Sequence, residues 1–194
     1  MNENKKDFGV RNIAFIGMSV ALITICSWIS IPSTIPFTLQ TFAIFLSVLV
    51  LGWRDSLIAI ATYLILGTIG VPVFSNFNSG IGAIMGPTGG YLIGFLFLPI
   101  VSFVFSLIRQ NALLKIIGLV VALILCYLFG TIWFTYVYNN MNGDITILKA
   151  FSICVLPFII PDVVKLSLAF FISSRLERIM NGKTQIDEDK TEHS

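Results

Sequence analysis

Long apolar stretches separated by short polar connections make up most of this chain. Three stretches, at 12–53, 56–108 and 116–143, contain no Asp, Glu, Lys or Arg. Because a helix needs roughly 20 apolar residues to cross a bilayer, these stretches hold about two, two and one crossings, and one more apolar segment follows near the C-terminus. The pattern predicts six transmembrane helices, at about residues 13–31, 37–52, 56–74, 91–108, 114–136 and 152–173.

The predicted fold is therefore all-α, a polytopic membrane protein built as a bundle of six transmembrane helices. Residues 1–12 are predicted to form a cytoplasmic segment, 13–174 the six-helix transmembrane domain, and 175–194 a charged cytoplasmic tail. Of the 194 residues, 56% are hydrophobic and 11% are charged, whereas soluble domains carry about 25% charged residues. This composition excludes a water-soluble enzyme, and the net charge of +2 is too small to indicate a nucleic-acid partner.

Lysine and arginine are distributed unequally between the two predicted faces of the membrane. With a cytoplasmic N-terminus, the outer side receives only Lys149, and Lys165 lies within the sixth span. The inner side receives Lys5, Lys6, Arg11, Arg54, Arg109, Lys115, Arg175, Arg178, Lys183 and Lys190. Since basic residues accumulate on the cytoplasmic side, we expect a multi-pass protein of the cell membrane with both termini inside.

The connection at 75–90, between the third and fourth spans, is uncharged and rich in glycine and asparagine. Irregular backbone at membrane depth is tolerated only where protein buries it or where it lines a cavity. Within it, Pro87 suits the second position of a turn, and Gly89 and Gly90 permit a positive φ or a close backbone approach. The following Tyr91 offers an aromatic face with a polar tip. We expect this segment to face outside and to belong to a binding site.

Apart from Lys115, at the edge of the fifth predicted span, Asp162 and Lys165 are the charged residues inside the predicted spans. A charge at the bilayer centre costs about 2.5–3.5 kcal/mol on insertion scales, so the pair needs a partner or a purpose. Their spacing of three places them on one face of a helix. Pro161 suits the first turn of that helix, and Asp162 would then lie near the positive end of the helix dipole.

Two interpretations of this pair remain open. It could be an internal salt bridge that holds the sixth span against its neighbours, although such a pair adds little net stability compared with apolar packing. Alternatively, it could bind a polar solute from the outer face. A carboxylate accepts hydrogen bonds only and an ammonium donates them only, so the pair would match a zwitterion or a molecule with both N–H donors and a carboxylate.

Two further clusters each allow a structural or a functional interpretation. Thr38, Gln40 and Thr41, at the start of the second span, could line the same site or merely satisfy helix ends and interhelical hydrogen bonds. Ala14, Gly17 and Ala21 share a face of the first span, where small residues permit close helix packing. That face could pack inside the bundle or bind another membrane protein.

Catalytic and nucleotide-binding patterns are missing from the chain. The one histidine, His193, is in the tail, so we predict no metal site, no catalytic residue and no cofactor. The sequence GKT at 182–184 lacks the earlier glycine of a phosphate-binding loop. The chain is therefore not expected to power transport with ATP by itself.

Read in order, five segments resemble the BioY family, the biotin-specific substrate-binding S components of energy-coupling factor (ECF) transporters. They are IPFTLQTF at 35–42, LGWRDS at 51–56, GVPVF at 70–74, GPTGGYLIGF at 86–95 and DVVK at 162–165. The resemblance covers about residues 10–175. It implies a six-helix S component that binds biotin, without enzymatic activity, in an outward-facing pocket.

The resemblance also implies partners and contacts. The pocket would be closed by the loop between spans three and four, with Gly86, Pro87, Thr88, Gly89 and Gly90 as its lid. A transmembrane coupling (T) subunit and two ATPase subunits would complete the transporter and supply the ATP hydrolysis. The coupling subunit would contact the face formed by Ala14, Gly17 and Ala21.

Biotin has a ureido ring with two N–H donors and a carbonyl, an apolar thioether ring and a carboxylate tail. Under this hypothesis Asp162, with Asn76 or Asn78, takes the ureido edge, and Lys165 pairs with the carboxylate or holds Asp162. The remaining site residues would be Phe74 and Tyr91, against the rings, and Thr38 and Gln40, in the polar lining. The alternatives are another vitamin or a biotin precursor, an intramembrane enzyme that uses the pair as acid and base, and a membrane subunit without ligand.

Overall fold

The computed structural model describes residues 9–31, 36–108 and 111–192, without the side chains of 142, 177 and 179–192. Lys5, Lys6, Arg109 and His193 lie outside these residues, as do the side chains of the GKT sequence at 182–184. The helices are α1 (Val10–Trp28), α2 (Gln40–Thr68), α3 (Ile81–Met85), α4 (Gly89–Gly94), α5 (Phe97–Ile108), α6 (Ala112–Asn142), α7 (Ile147–Cys154) and α8 (Leu156–Glu192). Two short strands, β1 (Ser30–Ile31) and β2 (Phe37–Thr38), pair antiparallel between α1 and α2.

Helix α2 contains two antiparallel membrane segments that meet at Gly52. Gly52 has a φ of 80° and a ψ of 178°, a backbone conformation that glycine adopts readily. The side chain of Gln40 donates a hydrogen bond to Tyr63 Oη at 2.9 Å. Along a continuous helix these residues would lie about 35 Å apart, so the chain must reverse direction between them. The predicted end of the second span at residue 52 is confirmed, and the reversal lies at Gly52 itself, just before the 53–55 segment that separates the two predicted spans.

Five helices in the described part of the chain are long and apolar enough to cross a membrane: α1, α2, α4 with α5 (Gly89–Ile108), α6 and the Leu156–Leu176 part of α8. Because α2 reverses at Gly52, these five helices supply six transmembrane segments. Large apolar side chains on their outer faces, such as Leu128, Ile132 and Ile160, are more than half exposed, as expected for a surface that contacts lipid. The structure confirms the all-α, multi-pass bundle.

The start of the last span differs from the sequence prediction. Val155, with a φ of −121°, separates α7 from α8. Because α8 begins at Leu156, Pro161 is the sixth residue of this helix and lies inside it. The prediction that Pro161 occupies the first helical turn is wrong. Asp162 therefore lies beyond the turn where the dipole of α8 acts most strongly. Helix α8 also continues to Glu192, through most of the segment predicted as a charged tail.

The segment at 75–90 is more ordered than the predicted loop. It contains a 3₁₀ turn at Ser75–Phe77 and the short helix α3. The Gly89 N–H donates to the Gly86 carbonyl at 3.0 Å, which confirms Pro87 at the second position of a turn. Gly89 and Gly90 belong to α4 rather than adopting a positive φ, so that prediction is wrong. The close approach is confirmed, since a Cβ on Gly90 would overlap the side chain of Trp133.

Candidate functional site

A cavity lies at the end of the bundle where α1 ends and where α2 and α4 begin. Its wall combines β2 and the start of α2, the 74–88 segment, α4, the middle of α6, and the junction of α7 with α8. The lining includes Thr38, Gln40, Thr41, Phe74, Ser75, Asn78, Thr88, Tyr91, Cys126, Tyr127, Cys154, Phe158, Asp162 and Lys165. The three sequence clusters predicted to form a site thus meet around one cavity.

Asp162 and Lys165 form a buried ion pair in the wall of this cavity. Their relative exposures are 1% and 5%, and Lys165 Nζ lies 2.8 Å from Asp162 Oδ1. The spacing of three on α8 brings both side chains to one face, as predicted. Lys165 Nζ also lies 4.9 Å from the centre of the Phe37 ring, within the range of a cation–π contact. The pair faces the cavity rather than lipid.

Two hydroxyl groups from other helices complete the hydrogen bonding of the carboxylate. Thr41 Oγ1 donates to Asp162 Oδ1 at 2.8 Å and accepts from Lys165 Nζ at 3.1 Å. Tyr127 Oη, from α6, donates to Asp162 Oδ2 at 2.5 Å. Hydrogen bonds to a charged acceptor are about twice as strong as neutral ones, so this arrangement fixes the orientation of the carboxylate.

Gln40 connects the cavity to the second half of α2. Its side chain donates to Tyr63 Oη, and Tyr63 Oη donates in turn to the Val73 carbonyl at 3.1 Å. Thr38 Oγ1 accepts from the Gln40 backbone N–H at 3.3 Å. Thr38 thus satisfies a helix-end N–H, as the structural interpretation of this cluster predicts, and it also lies in the cavity wall.

The predicted residues of the 74–91 region divide into two groups. Phe74, Asn78 and Tyr91 line the cavity, and so does Thr88 among the predicted lid residues. Asn76 is absent from the lining: it is exposed and its Oδ1 accepts a hydrogen bond from Ser30 Oγ at 2.9 Å. Gly86, Pro87, Gly89 and Gly90 form the turn and the start of α4 beside the cavity rather than its wall.

Several lining residues were not predicted as site residues. Tyr127 and Cys126 lie in the middle of α6, within the apolar run at 116–130, where no polar cluster marks them. A tyrosine in an otherwise apolar span was the one available clue, because a buried hydroxyl needs a hydrogen-bond partner. Thr41 belonged to the polar cluster, but only the fold shows that it contacts Asp162.

Ala14, Gly17 and Ala21 lie on the outside of the bundle. All three are exposed, the neighbouring Met18 is 65% exposed, and a Cβ on Gly17 would meet no atom within 4 Å. Internal packing of this face, one of the two interpretations left open by the sequence, is therefore wrong for the described chain. The face is available to lipid or to another membrane protein.

Gly67 is required for the position of Phe74 in the cavity wall. The Phe74 ring is 2% exposed and lies so close to Gly67 that a Cβ there would overlap it. We expect Gly67→Ala to displace the ring and destabilise the protein by about 1–3 kcal/mol, the usual cost of overpacking, measured as a lower melting temperature in detergent. Gly82→Ala, at a position with no atom near a Cβ, is the matched control, and an equal effect of both changes would contradict this account.

The described residues do not indicate a metal site. They include no group of three or more His, Cys, Asp or Glu side chains placed to hold a metal ion. Asp162 is instead neutralised by Lys165. The cavity offers a fixed carboxylate, an ammonium, hydroxyls and an amide beside aromatic rings. This combination suits a small ligand that has polar groups at separate positions on an apolar body.

Comparison with known proteins agrees with these features. The sequence model of the BioY family matches residues 1–182. A relative named "Biotin transporter BioY" from Thermotoga maritima is 38% identical over 171 residues, covering 88% of this chain and 98% of the relative. "Biotin transporter BioY2" from Lactococcus lactis is 31% identical and covers 88% of this chain and 92% of its own.

A solved structure has the same fold. It is the crystal structure of the S-component for biotin from an ECF-type ABC transporter, with a TM-score of 0.76 and 29% sequence identity. The alignment covers 92% of this chain and 95% of the other. The similarity therefore extends over the whole bundle, including the helices that surround the cavity.

Proposed function

The chain belongs to the BioY family, and we propose that its cavity binds biotin from outside the cell for uptake by an ECF-type ABC transporter. It acts as the S component, the membrane-embedded subunit that binds the vitamin, and not as an enzyme. The buried Asp162–Lys165 pair in the cavity wall carries the proposal for the site. A buried ion pair adds little net stability compared with apolar packing, whereas a carboxylate in a cavity wall, with its counter-ion beside it, can accept hydrogen bonds from the N–H groups of a ligand.

The chemistry of biotin matches the groups around the cavity. Asp162 accepts from the ureido N–H groups, in an orientation fixed by Thr41 and Tyr127. Asn78 is the asparagine that assists it, since Asn76 is absent from the cavity lining. Lys165, held by Asp162 and Thr41, balances the charge of Asp162 and keeps it in place beside the ureido ring.

The less polar parts of the ligand contact a different set of residues. Phe74 and Tyr91 pack against the fused rings of biotin, and both are less than 10% exposed. Thr38 and Gln40 complete the polar lining, with Gln40 held by Tyr63. The turn at 86–90, with Thr88 at its cavity side, closes over the bound ligand.

Transport requires subunits that the chain does not contain. A transmembrane coupling (T) subunit binds the exposed face formed by Ala14, Gly17 and Ala21, and two ATPase subunits hydrolyse ATP. Both termini are cytoplasmic, as the distribution of lysine and arginine favours, and the cavity opens to the outside. Residues 1–12 and 175–194 flank the substrate-binding domain on the cytoplasmic side.

Identification of the bound molecule tests this function directly. We expect the full chain, purified from cells grown with biotin, to release unaltered biotin on denaturation, detected by mass spectrometry. In a binding assay, unlabelled biotin should displace labelled biotin, and other vitamins at the same concentration should not. Recovery of a different vitamin or of a biotin precursor would overturn the ligand assignment, and a chemically altered ligand would indicate an enzyme.

A further inference from the structure

The 74–78 segment carries Phe74, Ser75 and Asn78 into the cavity wall, although two of its residues have an unfavourable backbone. Asn76 and Phe77 have φ values of 56° and 57°, in the left-handed region that residues other than glycine rarely adopt. Such a conformation persists only where surrounding contacts hold it. The Phe74 N–H donates to the Asn78 carbonyl at 3.1 Å, which joins the two ends of the segment. Its tip, Asn76 and Phe77, is held by residues from other parts of the chain.

The contacts that hold the tip come from the last residue of α1 and from β1. Ser30 Oγ donates to Asn76 Oδ1 at 2.9 Å. The Trp28 and Phe77 rings pack with their centres 4.9 Å apart, and Trp28 Nε1 donates to the Pro72 carbonyl at 2.9 Å. These residues are not in the cavity lining, so their effect on a ligand must be indirect.

We propose that Trp28, Ser30, Asn76 and Phe77 form a latch that sets how long the ligand stays bound, by holding the 74–78 segment in the shape that places Phe74 and Asn78 in the cavity wall. The inference rests on the proposed function for its ligand. The latch residues are positioning residues. Breaking the latch leaves the Asp162–Lys165 pair intact but lets the segment move away from the ligand, so dissociation becomes faster.

The test is the dissociation rate of tritiated biotin from the full chain in lipid nanodiscs, chased with excess unlabelled biotin. Ser30→Ala and Asn76→Gly each remove the Ser30–Asn76 hydrogen bond, and glycine retains the left-handed backbone. We expect each to raise the dissociation rate about fivefold, the effect of one neutral hydrogen bond. The double variant should be no faster than the faster single variant, because both changes remove the same contact.

Asn76→Asp is the conservative variant that separates this role from a general loss of structure. Aspartate keeps the acceptor and tolerates the left-handed region, so the dissociation rate should remain that of the unmodified chain. Unchanged rates in Ser30→Ala and Asn76→Gly, or additive effects in the double variant, would overturn the latch. Failure of the unmodified chain to bind biotin would instead overturn the proposed function.

A tryptophan pair provides an independent measurement on the same latch. Trp28→Leu removes both the ring contact and the hydrogen bond to Pro72, and we expect dissociation to become at least tenfold faster. Trp53→Leu is its matched control, since Trp53 also packs on a phenylalanine, Phe103, at 4.3 Å, but lies next to the Gly52 reversal at the other end of the bundle. Equal rates in the two variants would contradict the latch.

Discussion

Asp162→Asn is expected to weaken biotin binding by at least tenfold, measured by calorimetry on the purified full chain. The change removes the negative charge that is proposed to accept the ureido N–H groups and leaves Lys165 buried without its ion-pair partner. Truncating one member of a buried charged pair usually costs about 2–5 kcal/mol. Lys165→Ala should weaken binding to a similar extent, because it leaves the Asp162 carboxylate buried in the cavity wall without its counter-ion.

Matched variants separate loss of the site from loss of the fold. Asp162→Asn combined with Lys165→Met removes both charges and leaves no unpaired one, so this double variant should fold at least as well as either single variant and still fail to bind biotin. Lys149→Ala, at an exposed position on α7, should bind as the unmodified chain does. A double variant with normal affinity would show that the pair is a structural salt bridge, the alternative left open by the sequence.

The hydrophobic pattern was sufficient to predict the helical bundle, because a segment that crosses lipid must meet a simple requirement of length and composition. Spans must be long and apolar, so the six crossings and the reversal at residue 52 could be predicted from the charge-free stretches. Asp162, Lys165 and Gln40 could also be identified, since a charged or amide side chain in a predicted apolar span needs a hydrogen-bond or ion-pair partner. Burying a polar group without a partner costs free energy, so a polar side chain in an apolar span indicates a contact with another part of the chain.

The parts that the sequence did not predict depend on contacts between distant residues. Tyr127 contacts Asp162 across a separation of 35 residues, and nothing around Tyr127 in α6 marks it. Asn76 and Asn78 are equivalent in the sequence, and only the fold turns Asn76 towards Ser30 and leaves Asn78 at the cavity. The break at Val155, which places Pro161 inside α8, likewise depends on how α7 packs against its neighbours.

Gly17→Leu is expected to abolish biotin uptake while leaving biotin affinity unchanged. Gly17 lies at the centre of the exposed small-residue face of α1, and small residues there allow the backbone of another helix to approach closely. A leucine side chain would hold the coupling subunit away from α1. Because a Cβ at Gly17 meets no atom of this chain within 4 Å, the change should not disturb the bundle or the cavity.

The measurement compares uptake of labelled biotin by cells that contain the whole transporter with calorimetry on the purified S component. Ser167→Leu, a substitution on the exposed face of α8, is the matched control because it also enlarges a small side chain on the lipid side. It should leave both uptake and affinity unchanged. Normal uptake by Gly17→Leu would mean that the coupling subunit binds elsewhere on the bundle. A matching loss of uptake in Ser167→Leu would mean that any enlargement of the outer surface interferes, and the assignment of the α1 face would then be wrong.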